Sequence, residues 1–528
     1  MLPKKYTWLV LLSIISLNEA LRVLVWFPLF SKSHNILGRG VVNHLLKAGH
    51  EVVHVTSMPQ KAPLPNLTEI DLSSIEEAFK QDKESNEHFK LKNLVGQKNF
   101  GDSIFFLYLS YEINKVSLEH EAVQTFLADP KQKFDAVILE WFFSDFIAGI
   151  APLFNAPLIW MGSTEAHWQV LKLVDEIPNP AYSVDLFSVK RPPLTFWERM
   201  VELWTLAKRY VIINGVVVPF EKRLYNTIFP DLAAKRGVTM PGYDDAVYNA
   251  SLMYLYSHPS IGTPFRLPQN AKYVGGYHVD TEVKALPKDL QKIMDEAKDG
   301  VIYFSMGSNL KSVDMTENMR NSLLKMFSKL KQKVIWKFEE DLQNVPANIH
   351  LVKWAPQQSI LAHPNLKMFI THGGQLSTTE AIHFGVPVVG IPVFGDQYVN
   401  TKSAVDKGFC ISVTLAEDMS DDIYAAVQEI LRNPAYKTKA KELSAIFHDR
   451  PMKPGEELVY WLEYVVRTHG AKHLRSPAVN VPMYQKLFLD LLLIVVVGSY
   501  VLCKIKQKVF GKRKADKPVK SGKKTKTN

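Results

Sequence analysis

The stretch Lys367-Met-Phe-Ile-Thr371-His372-Gly373-Gly374-Gln-Leu-Ser377-Thr-Thr-Glu380, running on to Gly385 and then to Val386-Pro-Val-Val-Gly-Ile-Pro-Val393, decides the fold. A short apolar run, two glycines and a pattern of helical period that stops at Gly385 predict a strand, a tight turn and a helix, with a second buried strand after it. Paired glycines let the backbone approach a ligand. The free N–H groups of the new helix then favour an anion such as a diphosphate. Gly-Gly before a helix also occurs in α/β folds that bind nothing there, so this turn alone assigns no function.

Residues at fixed offsets from the turn add chemistry. Upstream, Trp354 and Gln357 in Trp-Ala-Pro-Gln join a flat aromatic to an amide, a pair suited to stacking on a base and reading its edge. Downstream, the run to Val393 delivers Asp396 and Gln397 to the carboxyl end of a strand, where open α/β sheets bind ligands. A carboxylate beside an amide suits a hydroxyl-rich sugar. From Trp354 to Gln397 the chain resembles the signature of the UDP-glycosyltransferases, in particular the animal membrane-bound branch that includes the UDP-glucuronosyltransferases. That resemblance implies two Rossmann-like α/β domains facing across a cleft (GT-B type). It implies that Trp354 stacks on uracil and Gln357 contacts the nucleoside, that His372, Gly374 and Ser377 hold the diphosphate, that Glu380 takes the ribose hydroxyls, and that Asp396 and Gln397 hold the donor sugar. This chain has Leu376 where many relatives have Asn.

At 528 residues the chain exceeds one ordinary core, so two domains are expected, and 47% hydrophobic against 22% charged residues excludes a disordered chain. The net charge of +10 is local: residues 504–528 hold eleven Lys/Arg against Asp516, which leaves the rest neutral and gives no basic face for nucleic acid. Cys410 and Cys503 lie far apart, so no structural disulfide is expected and both read as buried free thiols.

Residues 1–20 combine Lys4 and Lys5, an apolar stretch from Trp8 to Leu17 and Ala20, the three regions of a secretory signal peptide. Leu21–Phe27 reads as a buried strand, Pro28–Asn35 as a loop, Ile36–Lys47 as an amphipathic helix and Glu51–Thr56 as the next strand. On spacing alone His34 in that loop is an ordinary surface histidine. The resemblance implies that it is the catalytic base. Such a base needs a carboxylate to fix its tautomer. The strand Phe134–Glu140 presents Glu140 at its end, matching the family's partner Asp with one methylene more; Asp145 is the rival, with helix capping as its simpler role. Asp135 sits at the opposite end of the strand. The apolar helix Phe196–Ile213 is expected to face the core, although in the family the N-terminal half also shapes the acceptor site. Asn66-Leu-Thr and Asn249-Ala-Ser are N-glycosylation sequons, which have meaning only in a lumenal body.

The expected domains are residues 21–280 for the acceptor, with a linker in Val279–Pro287, residues 281–448 for the UDP-sugar, and 449–478 as a helix that crosses back to the first domain. Ser305, Gly307 and Ser308 head the second domain, and the resemblance makes Ser308 a further donor contact. A transmembrane helix is expected within 484–503. Its apolar part, Leu487–Cys503, would be about 25 Å long, and the basic tail at 504–528 would lie in the cytosol with the body in the endoplasmic reticulum lumen, a single-pass type I arrangement. The terminal Lys524-Thr-Lys526-Thr-Asn528 resembles a dilysine retrieval signal.

Together these readings imply an inverting transfer of a hexose from a UDP-sugar to a hydroxyl of a small lipophilic acceptor, in detoxification or conjugation; the sequence leaves the sugar open between glucose, which it favours, and glucuronic acid. Glu140-Trp141 and Gln375-Leu376-Ser377 resemble the insect branch, for which UDP-glucose is usual. The UDP-sugar is a co-substrate, and no metal spacing or other cofactor motif is present. The alternatives are a non-catalytic nucleotide-sugar or small-molecule binder on the same fold, and an oxidoreductase that would lack the dinucleotide glycine fingerprint. Acceptor identity and oligomeric state, a homo-oligomer included, are not fixed by these residues.

Overall fold

The computed structural model describes residues 20–81, 90–96, 103–279, 282–511 and 522. The expected signal peptide up to residue 19, the retrieval signal and most of the basic tail lie outside these residues, as do positions 280 and 281 of the expected linker.

The described residues up to Ser476 form one compact unit with two parallel sheets. The first contains β1 (Arg22–Phe27), β2 (Glu51–Thr56), β3 (Leu67–Asp71), β4 (Ala136–Trp141), β5 (Leu158–Gly162), β6 (Leu252–Leu255) and β7 (Ala271–Tyr273), in the order β3-β2-β1-β4-β5-β6-β7. The second contains β8 (Val301–Ser305), β9 (Lys333–Lys337), β10 (Ile349–Val352), β11 (Leu366–Thr371), β12 (Val388–Gly390) and β13 (Cys410–Ser412), ordered β10-β9-β8-β11-β12-β13. Central strands such as Val23–Phe27 and Val301–Ser305 are buried throughout, as strands covered on both faces must be. In each sheet the strand order reverses once, between β1 and β4 and between β8 and β11. Ligands of open α/β sheets bind beyond the carboxyl ends of the strands at that reversal. His34 and Glu140 follow the first reversal; Ser305–Ser308 and His372–Gly374 follow the second.

The helices used below are α1 (Lys32–Lys47), α2 (Phe196–Ile212), α3 (Val218–Arg236), α4 (Gln375–His383), α5 (Gln397–Asp406), α6 (Pro454–Arg467) and α7 (Leu489–Gly511). The expected loop over Pro28–Asn35 is shorter than the sequence suggested: Ser31 is extended at the N-cap and its carbonyl accepts from Asn35 N–H, so α1 opens at Lys32 and His34 lies in its first turn. A second expectation reverses in α2. Most of its large apolar residues face outward, Trp197 being 74% and Trp204 69% exposed; Leu206 and Tyr210 pack on the core, and its one fully buried residue is Glu202. The reason is polar docking: Glu202 accepts from Asp185 N–H (3.0 Å), Ser188 Oγ (2.8 Å) and Lys190 Nζ (3.1 Å). Five π-helical residues, Ile213–Val217, join α2 to α3. Helix α6 returns to the first sheet, where Leu458, Leu462 and Val465 pack with Val23, Val25, Phe27, Val41 and Tyr254. The cysteines are both free, but only Cys410 is buried; Cys503 is exposed.

The described residues from Pro477 onward form a separate unit. Among the described residues no helix is long and apolar enough to cross a membrane, which corrects the expected span at 484–503. Phe488 takes a positive φ of 53° and breaks the chain before α7, and α7 then includes Asp490 at one end and Lys504, Lys506 and Lys508 at the other. What remains between the charges, Leu491–Cys503, would extend about 20 Å, short of a reticulum bilayer of about 27 Å.

Candidate functional site

The β1–β7 sheet with its helices is the first lobe and the β8–β13 sheet with its helices the second. On the first lobe, His34 Nδ1 is hydrogen-bonded to Glu140 Oε1, with the carboxylate buried and the imidazole slightly exposed. Of the two carboxylates, Glu140 is the one bonded to His34. Asp145 instead accepts from Trp141 Nε1 (2.7 Å) and pairs with Lys172 Nζ (2.9 Å), inside a buried network in which Glu221 accepts from Ser144 Oγ, Asp145 N–H and Tyr243 OH. Asp135 stays at the amino end of the strand, where it accepts from Arg22 N–H (2.7 Å). With Nδ1 held by Glu140, His34 Nε2 carries the free lone pair and can take a proton. Phe142 packs edge-on against the imidazole at 4.9 Å, and Phe106, Phe143 and Phe187 stack nearly parallel behind it, with centroids 5.7–6.1 Å apart. The His34 imidazole therefore faces an apolar aromatic wall.

On the second lobe, β11 ends in Thr371 and α4 begins at Gln375, with Gly374 extended at the N-cap and Gly373 at a φ of +78°. A Cβ on Gly373 would collide with Thr401 Oγ1, which is why this turn requires glycine. The His372 ring is enclosed between Gly307 and Gly374; burial, with Lys337 nearby, pushes its pKa down to about 4, so it is neutral at pH 7 and offers a hydrogen bond instead of a charge. The N–H groups at the start of α4 supply the positive end of the helix dipole at the same place.

Gln357, Ser377 and Glu380 come together as a network: Gln357 Nε2 donates to Glu380 Oε2 (2.6 Å) and Ser377 Oγ (3.2 Å), and Tyr303 OH donates to Gln357 Oε1 (3.3 Å). Glu380 Oε1 also meets Gln358 Nε2 (3.1 Å) and His278 Nε2 (3.1 Å), and His278 Nδ1 meets Tyr256 OH (2.7 Å). Burial raises the pKa of Glu380, but bonds to His278, Gln357 and Gln358 outweigh it and hold the group ionised. Sequence reading missed Tyr256, His278, Tyr303 and Gln358; none belongs to a spacing pattern, and only the fold brings them to Glu380. Trp354 is 56% exposed at the rim, and Ser308 is half-buried in the turn after β8. Asp396 caps α5 and accepts from Asn400 Nδ2 (2.8 Å); burial raises its pKa, and His34 across the cleft is close enough to draw it back. Gln397 turns its carbonyl to Val393 N–H (2.9 Å) and Phe394 N–H (3.2 Å), which fixes the loop that presents Asp396. Leu376 packs against the first-lobe core, so this position joins the lobes. A cavity beside Asp396 is lined by Glu165, Asp185, Arg191, Gln375 and Asn400, drawn from both lobes. Both sequon residues are exposed; Asn249 Oδ1 accepts from Arg475 Nη1.

Residues 21–524 match the family described as "UDP-glucoronosyl and UDP-glucosyl transferase". UDP-glucosyltransferase 2 of Dactylopius coccus is 33% identical over 500 residues, covering 93% of this chain and 92% of that protein. UDP-glucuronosyltransferase 2B15 of Rattus norvegicus is 30% identical over 500 residues, covering 91% and 90%. Among solved structures, Arabidopsis thaliana UGT89C1 complexed with UDP-L-rhamnose has the same fold, with a TM-score of 0.55 at 15% identity over 85% of this chain and 100% of that one.

Proposed function

Because the chain belongs to the UDP-glucuronosyl and UDP-glucosyl transferase family and is a UDP-glycosyltransferase, we propose that it transfers glucose, with inversion, from UDP-glucose to a hydroxyl of a small lipophilic acceptor. The observation that carries the reading is the His34–Glu140 pair facing Asp396 across the cleft. His34 Nε2 takes the acceptor proton while the acceptor oxygen attacks the anomeric carbon, and Glu140 stabilises the imidazolium that forms. The bond from that carbon to UDP breaks on the opposite side, and the charge gained by UDP meets the α4 N–H groups and the neutral His372. Trp354 takes the uracil, the Gln357–Ser377–Glu380 network and Ser308 the ribose and diphosphate, Asp396 and Gln397 the sugar, and no further cofactor enters the scheme.

The choice of glucose has its own support. Of the residues lining the cavity beside Asp396, Arg191 is the one basic side chain, and it is held by Asp406 (3.5 Å) and the Val399 carbonyl (3.1 Å), while Asp185 already has Arg209 at 2.7 Å. A donor sugar with its own carboxylate would meet no unpaired cation among the described residues of that lining, whereas a neutral sugar needs none. The aromatic wall at His34 favours a lipophilic acceptor, as in conjugation and detoxification. A lumenal location for the body is part of the same reading, because the exposed sequons at Asn66 and Asn249 are glycosylated only there; endoglycosidase digestion should shift the mobility of the expressed protein.

The deciding experiment is a single-turnover assay of the expressed full chain with UDP-glucose and UDP-glucuronate against phenols, flavonoids and steroids. Transfer from UDP-glucose is expected. Folded protein that binds UDP yet transfers from neither donor would favour the non-catalytic binder.

A further inference from the structure

Trp354 is an exposed tryptophan whose ring is approached by two ammonium groups, Lys32 Nζ at 4.5 Å and Lys337 Nζ at 5.8 Å from the centroid. Lys337 ends β9 on the same lobe as Trp354 and has its own carboxylate, Glu339, at 2.7 Å. Lys32 comes from the opposite lobe. It is the first residue of α1, two before His34, and among the described residues no carboxylate lies within ion-pair distance of it. Partial desolvation lowers its pKa, and repulsion from Lys337 and then Lys311 adds to this more than Glu76 and Glu339 relieve it. The ammonium thus stands in an excess of positive charge with an aromatic face as its partner. A cation–π contact at an exposed site is weak beside a charge-assisted hydrogen bond to phosphate.

The same turn is tied across the cleft one residue earlier. Asn309 Nδ2 donates to Ser31 Oγ at 3.1 Å, and Asn309 directly follows Ser308 in the turn after β8. The tie anchors the start of α1 beside the turn after β8, where the long, flexible Lys32 side chain meets the Trp354 ring.

We propose that Lys32 is a donor-binding residue supplied by the acceptor lobe, which moves from the Trp354 ring to the diphosphate as the uracil stacks on that ring. The inference rests on the cleft being a UDP-sugar site. Its consequence is a coupling: the charge that holds UDP also fixes the turn carrying His34, so donor binding positions the base before the acceptor arrives.

The test is titration calorimetry on the purified full chain with UDP and with uridine, which lacks the phosphates. Lys32→Met should weaken UDP about tenfold, flatten the salt dependence of UDP binding, and leave uridine unchanged or tighter because the ring is freed. Lys32→Arg should retain UDP binding to within about threefold, and Lys439→Met, which removes an exposed lysine paired with Glu442 elsewhere on the surface, should change neither ligand. Equal weakening of UDP and uridine by Lys32→Met, or unchanged UDP binding, overturns the assignment. Wild-type protein that binds neither ligand would overturn the UDP-sugar reading itself, an outcome distinct from a failure of Lys32 alone.

Discussion

Glu140 and Asp145 stand five residues apart, and their different partners predict different consequences of mutation. Glu140→Gln leaves His34 Nδ1 facing an amide in place of a carboxylate; kcat should fall about 10²- to 10⁴-fold with little change in the KM of the donor. Asp145→Asn instead leaves Lys172 buried without its counter-charge and should cost roughly 3–5 kcal/mol of stability. Equal losses of kcat in two folded variants would return Asp145 to the catalytic set. The same buried network has a pH signature. Burial, followed by the charge of Asp145, raises the pKa of Glu221 to about 7. A carboxyl whose folded pKa lies above its unfolded one holds its proton better when folded, so its contribution is fully present below about pH 4.5 and is lost as pH rises to about 7. Relative to Glu221→Gln, the wild type should therefore lose on the order of 1–3 kcal/mol between pH 5 and 7.5, measured by urea unfolding at each pH. A parallel pair of curves would place the Glu221 pKa outside this window. Glu140 was legible from its place at the end of a strand, but Glu221 was not: its role depends on Ser144, Tyr243 and the Asp145 amide, which are distant in sequence and meet only after β4 and α3 pack.

At the scale of elements, the turn between β11 and α4 shows how little space a working loop leaves. Gly374 has an ordinary φ of −63°, so alanine there meets no backbone strain, but its Cβ would lie 2.5 Å from His372 Nε2. Gly374→Ala should thus displace the imidazole and weaken UDP binding about tenfold while shifting Tm by only a few degrees. Gly373→Ala, at a φ of +78° and against Thr401, should lose both binding and stability. If Gly374→Ala binds UDP normally, His372 does not touch the diphosphate. This strand–turn–helix was readable because its residues are adjacent and its periodicity is local. Helix α2 is the complementary case: its Trp, Phe and Leu content points to the core, but which face a helix buries is set by what it docks on, and here Glu202 is captured by Ser188, Lys190 and the Asp185 amide while only Leu206 and Tyr210 of the large apolar side chains turn inward. The expected membrane span is overturned because Phe488 breaks the chain ahead of α7, so that Asp490 falls in the first turn of the helix and Lys504, Lys506 and Lys508 are taken into its other end; the sequence shows these charges but not where the helix starts.

The two lobes are tied closely enough to unfold as one. Direct bonds cross between them at Ser31–Asn309, His278–Glu380, Ser403 Oγ–Ile261 carbonyl (3.0 Å) and Lys407 Nζ–Gly262 carbonyl (3.1 Å). Helix α6 adds a larger tie: the chain leaves the second lobe and buries Leu458, Leu462 and Val465 in the core of the first, with Tyr254 OH donating to the Leu458 carbonyl (2.6 Å) and Lys272 Nζ 3.9 Å from the Trp461 ring centroid. A ligand that binds the second lobe should therefore stabilise both. Calorimetry of the full chain should show one transition for residues 20–476, and UDP at 100 times its Kd should raise it by the equivalent of about 2.7 kcal/mol. Leu462→Ala leaves the UDP contacts in place but opens a cavity where α6 meets the first sheet, at a cost of roughly 2–4 kcal/mol. If α6 is the main tie, that variant should split the transition in two, with UDP shifting only the upper one. A single transition that merely moves to lower temperature would assign the coupling to the polar contacts across the cleft, and a wild type that already unfolds in two steps would mean that the lobes respond to the donor separately.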